Sequence, residues 1–197
     1  MVCASVRRLA RFEPVTLLFL TGPAGDRDPA EARRAVVEGL REVAGTAREL
    51  GVQTALEPIH ASARDDFTIV TTIPEAVELV EEVGEGMGVI FDTWHLWDTP
   101  DVLDHIRAEA HRFPAVHVND WRADTRGWDD RALPGDGIMD LPAMLGALEA
   151  GGFDGWYDLE IFSSETYPDS LLKLPPDEMV RRAKAGFLAA WEARRKG

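Results

Sequence analysis

Short apolar segments alternate with amphipathic ones along this chain. Five apolar runs have the length and composition of β-strands, and they span residues 15–20, 52–60, 88–95, 115–120 and 156–162. Six further segments have apolar positions at helical spacing, and they span residues 2–12, 28–50, 73–83, 101–112, 141–150 and 175–196. Because strands that alternate with helices pair in parallel, the pattern predicts an α/β fold with a parallel sheet.

The number of strand–helix units indicates how such a sheet would be arranged. A closed (β/α)8 TIM barrel needs eight strands, whereas this chain of 197 residues shows five strand-like runs. At roughly 30 residues per unit, three more units would bring the chain slightly above the ~250 residues typical of that barrel. We therefore expect residues 1–197 to form a single TIM-barrel domain without its first three strand–helix units.

Four polar residues lie near the C-terminal ends of four of these runs. Glu57, Asp92, His117 and Glu160 each follow or interrupt apolar residues. Parallel strands direct their C-terminal ends to one face of a barrel, so the four side chains should converge there. Carboxylates at such short distances repel one another unless a cation lies between them. The pattern predicts a site for one divalent metal ion.

Each of these residues also has a simpler interpretation. A buried glutamate can pair with an arginine, and a histidine inside an apolar strand, such as His117, can be a hydrogen-bonded core residue. His95 could lie in a surface loop. Asp120 could orient an imidazole ring that binds the metal, or it could cap a loop.

The segment of residues 121–137 is too long to be a passive connection. Its motif of residues 130–137 (DRALPGDG) contains Arg131, whose planar group of donors can bind an anionic or polyhydroxylated ligand. Tryptophans lie in or beside the loops at the strand ends, and they are Trp94, Trp97, Trp121 and Trp128. Aromatic walls around a few polar groups suit a sugar-like ligand, Trp94 being a candidate contact, although core packing or a subunit interface is an equal alternative.

Composition excludes several other classes of protein. The net charge of −14, from 21 basic and 35 acidic residues, disfavours nucleic acids and anionic membranes as partners. Cys3 is the single cysteine, so no intrachain disulfide can form, and a cytoplasmic location fits. Three arginines before the run of residues 15–20 loosely imitate a signal peptide, but six residues are too few.

Several motifs, taken in order, resemble the xylose-isomerase-like TIM-barrel superfamily and, within it, the sugar phosphate isomerase/epimerase branch. The motifs are residues 56–58 (LEP), 91–95 (FDTWH), 116–120 (VHVND), 130–137 (DRALPGDG) and 158–162 (DLEIF). The stretch of residues 129–184 is most similar to inosose (2-keto-myo-inositol) isomerases. The resemblance covers about residues 15–190.

This resemblance implies roles for individual residues. Glu57, Asp92, His117 and Glu160 would bind one divalent ion, with Mn²⁺, Mg²⁺, Co²⁺ and Zn²⁺ all suited to three carboxylates and an imidazole. Glu57 and Glu160 would also be the acid/base pair, moving a proton next to the carbonyl of a hydroxy-ketone through an enediolate that the metal stabilises. The implied substrate contacts are His95, Arg131 and Arg122.

Three other functions remain to be weighed. A dehydratase acting on a dehydroshikimate-like keto acid also begins with removal of a proton next to a carbonyl. The apurinic endonucleases of the superfamily need several zinc ions and a basic groove, which five histidines and a charge of −14 do not support. An inactive, truncated fragment is the third.

Because an open five-stranded sheet has two unpaired edges, we also expect self-association, and a homo-oligomer is possible.

Overall fold

The computed structural model describes residues 2–84 and 86–195. Its helices are α1 (Val2–Leu9), α2 (Pro29–Glu49), α3 (Arg64–Phe67), α4 (Ile73–Val83), α5 (Thr93–Leu96), α6 (Val102–Glu109), α7 (Leu141–Ala150) and α8 (Pro176–Ala193). Its strands are β1 (Leu17–Phe19), β2 (Thr54–Leu56), β3 (Gly88–Val89), β4 (Phe91–Asp92), β5 (Ala115–Val118), β6 (Asp120–Trp121), β7 (Arg131–Ala132) and β8 (Trp156–Leu159).

All six helices that the sequence predicts are present, and side-chain caps explain why they begin where they do. The Asp28 carboxylate accepts hydrogen bonds from the backbone N–H groups of Ala30 and Glu31 at the start of α2. The Thr72 hydroxyl accepts one from the N–H of Glu75 at the start of α4. Such caps satisfy N–H groups that have no partner within the helix.

None of the helices in the described residues is long and apolar enough to cross a membrane.

The ends of three helices differ slightly from the prediction. Short 3-10 turns, Ala10–Phe12 and Ala110–Arg112, complete the segments that begin with α1 and α6. The last helix, predicted over residues 175–196, spans Pro176–Ala193, and Lys196 lies outside the described residues.

The described strands form two parallel three-stranded sheets in the orders β1-β2-β3 and β4-β5-β8. The sheets adjoin at Ile90, the one residue between β3 and β4, whose N–H donates to the Leu56 carbonyl. The strand predicted over residues 88–95 is therefore divided, and from Thr93 onward its residues belong to α5. The described strands do not close into a barrel, and the prediction of five strands is not confirmed.

The register of these strands brings their C-terminal ends to one level. Asp92 in β4 lies opposite His117 in β5, and His117 lies opposite Asp158 in β8. Glu57 directly follows β2, and Glu160 directly follows β8. The four residues predicted to bind metal are therefore at the same edge of the sheets.

The core lies between the sheets and the helices on one side. Its largest cluster joins apolar strand residues to residues of α4 and α7, and it includes Leu56, Val89, Phe91, Val116, Leu79 and Leu145. These side chains are completely buried. The fixed position of the strand ends follows from this packing.

The predicted strand of residues 156–162 is present over Trp156–Leu159 only, and this strand, β8, is not buried. The Trp156 and Leu159 side chains in β8 are 65% and 37% exposed. β8 is paired on one side only, with β5, among the described strands, so much of its surface has no neighbour.

Two segments between the predicted strands and helices contain regular structure. Residues 61–71 include a 3-10 turn, Ala61–Ala63, and α3. Within residues 121–137, β7 pairs antiparallel with β6, so that Trp121 lies opposite Arg131. This hairpin brings Arg131 back towards the strand ends.

Candidate metal centre

Four side chains meet at the C-terminal edge of the sheets. Glu57, Asp92, His117 and Glu160 each present one ligand atom, and these atoms lie within 4.8 Å of one another. His117 Nδ1 lies 2.8 Å from Glu57 Oε1, 3.6 Å from Glu160 Oε1 and 3.8 Å from Asp92 Oδ2. Three carboxylates and an imidazole, all buried except the half-buried Glu160, form a donor set that suits a divalent cation.

Asp92 has one oxygen engaged by the backbone and one directed at the cluster. Its Oδ1 accepts hydrogen bonds from the N–H groups of Trp94 and His95, which makes Asp92 the N-cap of α5. Its Oδ2 lies near His117 Nδ1 and Arg131 Nη1. The cap explains why a poor strand former ends β4 and why its carboxylate has a fixed orientation.

Asn119, which the sequence analysis did not identify as a site residue, connects two members of the cluster. Its Nδ2 donates to Asp92 Oδ1 at 3.3 Å and to the Glu160 carbonyl oxygen at 3.2 Å. Its Oδ1 accepts from the Thr93 hydroxyl at 2.9 Å. The amide is completely buried. It joins the end of β4 to the residue after β8, and its place directly after β5 in the motif is the only sequence signal for this role.

Arg131 lies inside the site. Its Nη1 donates to Asp92 Oδ2 at 2.9 Å and to Glu160 Oε2 at 2.7 Å, and the side chain is almost completely buried. Its guanidinium carbon lies 5.3 Å from the centre of the Trp94 ring and 4.9 Å from that of the Phe162 ring. The arginine therefore supplies positive charge next to the carboxylates and is held between two aromatic rings.

His95 is buried at the same place, so the interpretation of His95 as a surface loop residue is wrong. Its Nδ1 accepts a hydrogen bond from the backbone N–H of His60 at 3.1 Å. A neutral imidazole with an accepting Nδ1 has its proton on Nε2. That atom lies 3.1 Å from Arg131 Nη2 and 3.9 Å from Asp92 Oδ2.

Arg122 and Trp94, both predicted to contact the substrate, lie outside the four-residue cluster. Arg122 pairs with Asp130 at 3.0 Å and with Asp169 at 3.2 Å, and neither partner belongs to the four-residue cluster. Trp94 is 2% exposed and packs against the rings of His60 and Trp121. Trp94 is therefore a buried neighbour of Arg131.

Asp120 caps the loop that follows β7. Its carboxylate accepts hydrogen bonds from four backbone N–H groups, those of Trp121, Gly135, Gly137 and Met139. Of the two roles considered for Asp120, the structure shows the loop cap, because its oxygens are occupied by these groups. A β-carbon at Gly137 would lie 2.3 Å from Asp120 Oδ1, so only glycine fits there.

Burial and neighbouring charges shift the pKa values of the carboxylates in opposite directions. Burial raises the pKa of Glu57, although the hydrogen bond from His117 acts in the opposite direction and lowers it. Burial and the nearby Asp92 charge raise the pKa of Glu160 to about 7. Burial alone would also raise the pKa of Asp92, but His95, Arg131 and His117 outweigh it and hold that pKa at about 2.

The two histidines also differ. Burial lowers the pKa of His95 to about 4, so its imidazole is neutral at pH 7. Burial opposes the charged form of His117 as well, but the hydrogen bond to Glu57 and the surrounding carboxylates raise its pKa to about 9. In the absence of metal, the protonated His117 therefore neutralises part of the negative charge.

The chain belongs to the xylose isomerase-like TIM barrel family, whose model matches residues 2–190. It is 30% identical over 161 residues to an inosose isomerase of Halalkalibacterium halodurans, covering 79% of this chain and 54% of that protein. It is 29% identical over 136 residues to an L-ribulose 3-epimerase of Mesorhizobium japonicum, covering 68% and 42%. The chain spans about half the length of the curated relatives it matches.

Two solved structures have a similar fold. The crystal structure of protein SMc04130 from Sinorhizobium meliloti 1021 has a TM-score of 0.87 and 32% identity, covering 95% of this chain and 69% of that chain. The IOLI protein, whose crystal structure contains a bound zinc atom, has a TM-score of 0.77 and 23% identity, covering 96% and 67%. The second likeness supports the fold alone.

Proposed function

We propose that this chain is part of a divalent-metal-dependent isomerase or epimerase that acts on a keto-sugar or a cyclitol. The observation on which the proposal rests is the cluster of three carboxylates and one imidazole with ligand atoms within 4.8 Å of one another. We infer further that the parallel strands are five of the eight strands of the family's barrel, with β3 and β4 counted as one.

Glu57, Asp92, His117 and Glu160 would hold the metal, which would act as a Lewis acid that stabilises negative charge on the substrate oxygens. Of the four strands that carry these residues, the two inner ones, β4 and β5, contain Asp92 and His117, whereas Glu57 and Glu160 directly follow the two outer ones, β2 and β8. The two glutamates would therefore lie on either side of a substrate bound at this site. This arrangement suits removal of a proton by one carboxylate and its return by the other.

Arg131 and His95 would bind the oxygens of the substrate. The guanidinium of Arg131 has only donors, and the Nε2 of neutral His95 is a donor as well. Their separation of 3.1 Å directs two donors at each other, and an oxygen that accepts from both would relieve this arrangement. The carbonyl or enediolate oxygen of a hydroxy-ketone is such an acceptor.

The relatives support this reaction class through what they are called, an inosose isomerase and an L-ribulose 3-epimerase. Both names describe movement of a hydrogen next to the carbonyl of a polyhydroxylated compound. The acidic composition of the chain agrees with a neutral sugar-like substrate and disfavours a nucleic acid.

Hydrogen–deuterium exchange tests the proposal. Inosose in D₂O should exchange the hydrogen next to its carbonyl when the protein and Mn²⁺ are present, and NMR would follow the exchange. Glu57→Gln or Glu160→Gln should slow it about a hundredfold or more, since each removes a general acid/base. Glu38→Gln, a change on the exposed face of α2, is the matched control and should have no effect.

Two outcomes would contradict the proposal. Turnover without deuterium in the product would indicate a hydride shift or a proton shielded from solvent. Loss of water with formation of a double bond would instead identify the protein as a dehydratase, the alternative that also begins with proton removal.

A further inference from the structure

Three aromatic side chains from separate segments form a row of ring contacts at the C-terminal edge of the sheets. Phe67 ends α3, Trp128 lies between β6 and β7, and Phe162 lies just beyond β8. The ring centres of Phe67 and Trp128 are 6.2 Å apart, and those of Trp128 and Phe162 are 5.4 Å apart. We call these three residues the aromatic row.

The aromatic row remains open to solvent in spite of these contacts. Phe67, Trp128 and Phe162 are 38%, 48% and 41% exposed. Trp94, an aromatic residue of the nearby core, is 2% exposed. The row is therefore a surface with aromatic area available to a ligand.

The row is connected directly to the candidate metal centre. The Phe162 ring lies against the guanidinium of Arg131, and Arg131 donates hydrogen bonds to Asp92 and Glu160. The loop with Phe67 follows β2, and Phe162 follows β8, at the two outer strand positions of the site. The row thus combines residues that follow both of these strands, and Arg131 contacts both the row and the carboxylates.

A six-membered polyol ring has the surface that such a row recognises. The faces of the ring present C–H groups, whereas its hydroxyl groups point outwards from the rim. Aromatic side chains next to a few convergent polar groups bind a ligand of this amphipathic kind. A flexible open-chain polyol has no fixed apolar face, and it would lose more conformational entropy on binding.

We propose that the aromatic row binds the apolar face of a ring-closed six-carbon polyol whose oxygens face the candidate metal centre. This inference rests on the proposed function and narrows its substrate class to cyclic keto-polyols in preference to open-chain keto-sugars.

Binding of two unreactive probes tests the inference. myo-Inositol and glucitol each have six carbons and six hydroxyl groups, but only myo-inositol is a ring. Calorimetric titration of the full chain with Mn²⁺ should show tighter binding of myo-inositol. Trp128→Ala should weaken myo-inositol binding by about threefold to tenfold and leave glucitol binding unchanged, while Trp128→Phe should recover most of the affinity.

Two further variants control for indirect effects. Trp156→Ala removes a 65% exposed tryptophan from the opposite end of β8 and should change neither affinity. Phe67→Ala removes a second member of the row and should weaken myo-inositol binding in the same direction as Trp128→Ala. Circular dichroism and metal content of each variant verify that it is folded.

Equal affinity of the wild-type protein for the two probes, or no binding of myo-inositol, would overturn the inference. So would a Trp128→Ala variant that changes self-association but retains full affinity for myo-inositol, since the row would then be a protein contact. The inosose exchange experiment separates this result from the proposed function. If Trp128→Ala catalyses exchange with an unchanged KM, only the proposed role of the aromatic row in binding is refuted. If the protein binds the ring-shaped probe selectively but catalyses no exchange, only the proposed isomerase reaction is refuted.

Discussion

Removal of the Asn119 side chain should weaken the protein and its metal site together. The amide makes two buried hydrogen bonds, to Thr93 and Asp92, and a partly buried one to the Glu160 carbonyl. A bond between neutral groups contributes about 1 kcal/mol, and one to an ionised carboxylate about 1.5–3 kcal/mol. Asn119→Ala should therefore lower the free energy of unfolding by roughly 3–5 kcal/mol.

The effect on metal binding follows from the same contacts. Loss of a residue that orients ligands typically lowers metal affinity by about 10–100-fold. Thr93→Val is the graded comparison, because it removes the hydroxyl that Asn119 accepts from but leaves the amide beside Asp92. It should destabilise the fold and lower metal affinity less than Asn119→Ala does.

Urea denaturation and Mn²⁺ titration of the folded variants measure the two quantities separately. If Asn119→Ala kept the affinity of the wild-type protein within twofold, the claim that this amide positions Asp92 and Glu160 would be wrong.

Three further predictions concern packing, protonation and assembly. Gly186→Ala should destabilise the protein by about 1–3 kcal/mol, because a β-carbon there would overlap the Pro134 carbonyl oxygen. Gly39→Ala in α2, with open space around it, should instead stabilise the protein by about 0.5–1 kcal/mol. Equal effects of the two changes in urea denaturation would refute this packing. The pKa of His117 is about 9 without metal, and metal binding needs the neutral ring. Metal affinity should therefore rise about tenfold per pH unit from pH 7 to 9 and then level off. A metal affinity that is independent of pH in titrations would contradict this prediction. The exposed surface of β8, including Trp156, should promote self-association, and light scattering from a monodisperse 21.8 kDa monomer would contradict that expectation.

The helices could be predicted because their signals are local. Asp28 before Pro29 starts α2, and Gly151 follows the last residue of α7. The convergence of the four polar residues was also predictable, since parallel strands align their C-terminal ends whatever the details of their pairing.

The remaining features depend on contacts between distant residues. The division of the third run at Ile90 follows from its hydrogen bond to Leu56 in β2, and α5 begins because Asp92 caps it. The hairpin in residues 121–137 depends on Asp120, whose partners lie up to 19 residues further along the chain. Asn119 has no distinctive sequence signal, since its role exists only once the ends of β4 and β8 are adjacent.

Metal stoichiometry tests the central claim most directly. Elemental analysis of the purified protein, loaded with Mn²⁺ and freed of excess ion, should find one metal per chain. Asp92→Asn and Glu160→Gln should each lose most of it, because three remaining ligands bind weakly, whereas Glu38→Gln should retain it. Full stoichiometric metal in either ligand variant would contradict a single site shared by Glu57, Asp92, His117 and Glu160.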